Sequence, residues 1–133
     1  MHNATRLAGV TALLFGGFEL WAHHPFTSDF DSNKPMTLTG TVSKVEWVKP
    51  HAYIYLNVKN ETGRTEQWKL ETASPDYLKE HGMASSTFKK GEQLTVHAYG
   101  ATKEDHVASA RVVTSNGKDM EVADPHEDGG PAK

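Results

Sequence analysis

Cysteine is absent from this chain, which excludes disulfides and thiolate metal sites. A metal could be held only by imidazole, carboxylate, amine or amide groups. A basic excess is missing too: 14 Lys and Arg stand against 17 Asp and Glu, for a formal net charge of −3. Grip on nucleic acid needs a positive patch or stripe, and the scattered lysines offer none, so no nucleic-acid partner is expected. No stretch stays apolar for the roughly 18 residues that a spanning helix requires. Catalytic signatures are lacking as well: there is no G-x-S-x-G, no H-E-x-x-H and no glycine-rich phosphate loop. Asp29, Asp31, Glu46, Glu66 and Glu71 could pair across strands, but nothing in their spacing selects two of them. Binding is therefore expected before turnover.

What is present begins with the N-terminus. Arg6 precedes a short apolar run, Leu7 to Phe15, and a small residue follows at Ala22. This is the pattern of a secretory signal over residues 1–22, cleaved after Ala22, although Leu20 rather than alanine stands three positions before the cut. Glu19 interrupts the end of the run, so removal of the signal would leave no stable membrane span. The expected location is the bacterial periplasm.

The remainder has the length of one domain. Residues 23–35 are rich in Asp, Ser, Asn and Pro and read as an irregular arm pinned by Phe26 and Phe30. Residues 36–123 read as the folded domain. Met36 to Val42 alternates apolar and polar, then the apolar phase switches at Val45 and Trp47, which predicts a bend or bulge after Gly40. Pro50 interrupts the ladder; Ala52, Ile54, Leu56 and Val58 then share one face, with Tyr53 and Tyr55 on the other. A turn at Asn60 to Gly63 returns the chain through Trp68 and Leu70. Ser74-Pro75 predicts a helix start, ended by Gly82. Leu94, Val96 and Ala98 face inward on the next strand, opposite His97 and Tyr99. Ala108, Ala110 and Val112 form the next strand, and Met120 to Val122 a short sixth. Residues 124–133 read as a disordered tail. Three strands, one short helix, then two or three strands is the order of a small OB-like barrel. A β-sandwich with one helix is the competing architecture.

Eight histidines are many for this length. Cleavage after Ala22 would expose the His23 α-amine beside its own imidazole, a bidentate nitrogen pair suited to copper(II). His24 or His51 would add a further imidazole; His51 shares the outward parity of Tyr53 and Tyr55, within reach of an arm. The amine must lose a proton, whose unperturbed pKa is about 8, and metal binding drives that loss. The bland reading makes the pair a polar start and His51 a backbone partner. A second candidate is an aromatic ligand face of Trp47, Tyr53 and Tyr55, serving a metal-free adaptor or a small-ligand module.

Several of these residues recur together in a known pattern. Ala22-His23-His24-Pro25-Phe26, then Gly40-Thr41-Val42, Val45-Glu46-Trp47 and Pro50-His51 with Tyr53-Ile54-Tyr55 resemble a family of small exported bacterial proteins of unknown function. Pro25 and Lys49 depart from the Ser and Asn that this pattern usually carries. The resemblance implies an exported OB-like barrel and supplies no activity. His23, His24 and His51 carry over as motif positions, with copper or another metal ion, or a small ligand, as the expected partner.

Overall fold

A computed structural model describes residues 25–133. The calls on residues 1–22, and the histidines His23 and His24, lie outside the described residues. A short helical turn, α1 (Phe26–Asp29), leads straight into the long strand β1 (Phe30–Glu46). Then follow β2 (Tyr53–Lys59), β3 (Thr65–Glu71), helix α2 (Pro75–Glu80), β4 (Gln93–Ala101), β5 (Val107–Ser115), β6 (Lys118–Glu121) and the turn α3 (Pro125–Asp128). None of the described helices is long and apolar enough to cross a membrane.

One sheet, ordered β3-β2-β1-β4-β5-β6, closes on itself because β3 also pairs with β5. The closing seam is parallel, with Lys69, Leu70 and Glu71 opposite Val107, Ala108 and Ser109; the other pairs are antiparallel. This is the mainly β, OB-like barrel expected from the order of elements, with α2 between β3 and β4 and β6 appended to β5. β1 serves both halves of the ring, pairing with β4 through Thr41 and with β2 from Thr41 onward. It turns that corner at a bulge between Val42 and Lys44, which moves the inward phase from Val42 to Val45. Gly40 sits at the same corner, where a Cβ would lie 2.2 Å from the Asn57 carbonyl oxygen.

Leu56, Leu70, Leu94, Val96 and Ala110 are fully buried in the barrel, with Ile54 beside them. α2 plugs one opening: the Ser74 hydroxyl accepts the Tyr77 N–H at 3.2 Å, Pro75 occupies the first turn, and Leu78 is buried.

Four expectations require correction. Phe30 to Pro35 is strand, not irregular arm, because β1 pairs with β4 from Phe30 at one end. Val112 is only half-buried, and Val113 takes its place in the core. A register shift pairs His97 with Val112 but Ala98 with Ala110, so Arg111 is the extra residue and the inward phase slips by one. Tyr99, expected on the solvent side, is buried outside the barrel with Phe26 and Phe30 in a second apolar cluster. The tail is docked rather than free. The Arg111 guanidinium, with no exposed side-chain surface, donates to both Asp128 carboxylate oxygens at 2.6 and 3.1 Å and to the Pro131 carbonyl at 2.6 Å. The Tyr99 hydroxyl donates to the Lys133 carbonyl at 2.6 Å.

Candidate functional site

His51 stands just before β2, where the β2–β3 ladder continues past the strand ends. The Ala52 N–H donates to the Ala73 carbonyl and the Thr72 N–H to the Ala52 carbonyl. That extension sets the imidazole against Thr72, and the Thr72 carbonyl lies 2.8 Å from Nδ1. A carbonyl can only accept, so Nδ1 carries the proton and donates it there. The other ring nitrogen, Nε2, faces Glu71 Oε1 at 3.5 Å. Both side chains are mostly covered, at 21% and 25% exposure.

Glu71 ends β3, opposite Tyr53 across the β2–β3 pair and opposite Ser109 across the barrel seam. Neighbours on both sides thus fix its backbone. Burial raises its pKa above the usual carboxylate range; the facing His51 lowers it, and the charges of Asp29 and Asp128 add to the rise. Burial, followed by the charge of Glu71, likewise raises Tyr53 above the usual phenol range. A cleft of about 300 Å³ opens beside Glu71 and Tyr53, with Asp29, Lys69, Thr102 and Lys103 also in its lining. α1 forms part of the wall. Pro25 immediately precedes α1, and its carbonyl accepts the Ser28 N–H at 2.9 Å. The chain therefore leads into the domain within a few residues of Asp29, on the rim of the Glu71 cleft.

The aromatic candidates separate. Trp47 packs against the main core. Tyr53 carries the Lys69 ammonium over its ring at 4.3 Å, and Tyr55 carries that of Lys44 at 4.4 Å. Lys44 also pairs with Glu46 at 3.1 Å and holds that carboxylate below its usual range. The two tyrosine faces are thus occupied by cations, and no continuous stacking surface joins them to Trp47. Other histidines have structural partners. His81 Nδ1 donates to the Tyr77 carbonyl at 2.8 Å, and its ring stacks on Tyr77. His106 meets Glu66 at 3.0 Å and Trp68 edge to face. His97 lies against Tyr99.

Among the described residues, no three His, Asp or Glu side chains gather closely enough to hold a metal. His51 and Glu71 form a pair, and further ligands would have to come from elsewhere. Glu71 is one of five carboxylates that spacing in the sequence leaves equivalent. Its outward parity was legible; its approach to His51 needed the strand register.

A family described as one of unknown function (DUF6152) matches residues 12–110, a span that includes His51, Glu71 and most of the barrel. No curated protein matches the chain.

Proposed function

We propose that this chain, which belongs to the family of unknown function DUF6152, is an exported periplasmic protein that binds a divalent metal, with copper as the best candidate. The ligands in this reading are the His23 α-amine and imidazole, with His24 or His51. The observation that carries it is the orientation of His51. Metal-binding imidazoles characteristically donate the second ring N–H to a carbonyl or carboxylate, which fixes the ring and turns the other nitrogen outward. The Thr72 carbonyl fixes the His51 ring in this way, with Nε2 toward Glu71.

Copper(II) favours a tetragonal nitrogen set, so its affinity must depend on a free amine at His23. An added methionine before His23 converts that amine to an amide, a much poorer ligand. Protein recovered from the periplasm is expected to begin at His23 by intact-mass analysis. Calorimetry and EPR should show tighter copper(II) binding by this form than by the methionine-start form or His51→Ala. Equal, weak binding by all three would end the metal reading. The alternative would then lead: a metal-free adaptor or small-ligand module at Tyr53 and Tyr55, which the cleft beside Tyr53 supports.

A further inference from the structure

We propose that residues 124–133 act as a strap: clasped by Arg111 and Tyr99, they hold α1 against the barrel and so keep one wall of the Glu71–Tyr53 cleft in place. Release of the strap loosens that wall. The device bears on entry to the cleft and stands whether or not a metal binds at His51.

The end of the tail is fastened by side chains. The last ladder bonds before it are at Val122, whose N–H donates to the Arg111 carbonyl at 3.0 Å and whose carbonyl accepts the Ala73 N–H at 2.7 Å. From Asp128 to Lys133, among the described residues, the hydrogen bonds to the barrel come from Arg111 and Tyr99. Other bonds stay inside the tail: the Asp128 N–H donates to the Asp124 carbonyl, the Gly129 N–H to the Pro125 carbonyl and the Gly130 N–H to Asp128 Oδ1. A segment tied at so few points opens before the barrel does. Its opening returns Arg111 and Asp128 to water together, so neither ion is left bare in the interior.

The same two side chains hold α1. The Arg111 guanidinium lies over the Phe26 ring at 5.3 Å, and Tyr99 meets that ring edge to face at 5.9 Å. Gly130 completes the cover over Phe26: a Cβ there would lie 2.7 Å from the ring, so the tail sits flush on α1. A helix of four residues cannot stand on its own bonds, and α1 depends on this packing of Phe26. From α1 the contact passes to the cleft, which Ser28, Asp29 and Phe30 line. The Asp29 carbonyl accepts the Thr102 N–H at 2.9 Å, joining that wall to the chain just past β4. Tail, Phe26 and cleft wall are thus one packed series.

Amide hydrogen exchange on the full chain, followed by NMR, tests the strap. In the unaltered protein the Gly129, Ser28 and Thr102 amides should exchange through one opening, well ahead of Thr72, whose N–H is held by the Ala52 carbonyl. Gly130→Ala pushes the tail off Phe26 from its own side. Tyr99→Phe removes the bond to Lys133 and keeps the ring that packs on Phe26. Each should speed exchange at Ser28 and Thr102 about two- to ten-fold, the effect of one lost hydrogen bond on an opening equilibrium, and leave Thr72 unchanged. If Gly129 exchanges faster in these variants while Ser28 and Thr102 do not, the tail opens alone and is no strap. Equal acceleration at Thr72 would make the loss a global one and overturn the proposal as well. So would unchanged rates at all of these amides.

Discussion

At Arg111 a fully covered guanidinium meets two carboxylate oxygens, a backbone carbonyl, the Ser109 hydroxyl and the ring of Phe26. A buried charge is tolerated only when its donors are satisfied, and removal of one partner leaves an uncompensated ion. Asp128→Ala should therefore destabilise the fold by about 3–5 kcal/mol, measured by denaturant unfolding. A loss below 1 kcal/mol would mean that water replaces the carboxylate easily. Nothing local in the sequence marks Arg111 for burial. It follows Ala110 on a strand whose alternation would point it to solvent, and its partners lie 17 and 20 residues further on. The same distance in sequence hides Glu71 from His51. The sequence supplied outward parity for both; only the β2–β3 register brings Nε2 and Oε1 together.

Among the elements, two bulges show when a pattern can be read. The β1 bulge was legible because apolar positions move from Val42 to Val45, an interval that a regular strand cannot keep on one face. The β5 bulge was not. Val112 and Val113 are identical in chemistry, so alternation from Ala110 selects the wrong one until the register with β4 is known.

The ends of β4 and β5 are joined by Glu92, whose carboxylate accepts from the Ser115 hydroxyl and from the Lys89 N–H. Those bonds, Ser115 first, hold the Glu92 pKa below the usual carboxylate range. A depressed folded pKa contributes stability that is present above the unfolded value and lost as pH falls through the folded one. Glu92→Gln should thus lower the thermal midpoint at neutral pH, with the gap to the unaltered protein closing in strong acid. A gap that persists unchanged in acid would assign the loss to packing instead of charge.

For the molecule as a whole, the barrel has one continuous interior that strands from both halves of the ring supply. Leu56 is fully buried within it, opposite Trp68 on β3 and Val42 on β1. Leu56→Ala should cost about 2–5 kcal/mol and shift a single cooperative transition without splitting it. A midpoint that does not move would remove Leu56 from the closely packed core. Outside the ring, Phe26, Phe30 and Tyr99 form a separate cluster, and the Tyr99 hydroxyl reaches the docked tail. Both ends of the described chain thus meet on one face.

By itself, the sequence determined the order of strands, the place of α2, the bend in β1 and the inward set from Ala52 to Leu70. Each of these depends on short-range signals: period-two alternation, an N-cap with proline behind it, glycines at turns. Only the tertiary structure decided that β3 and β5 close the ring, that Tyr99 is covered, that the tail is anchored, and that His51 faces Glu71. These features arise between residues far apart in the chain. One residue of register changes which face a side chain occupies, and a buried charge recruits its partner from wherever the chain next passes.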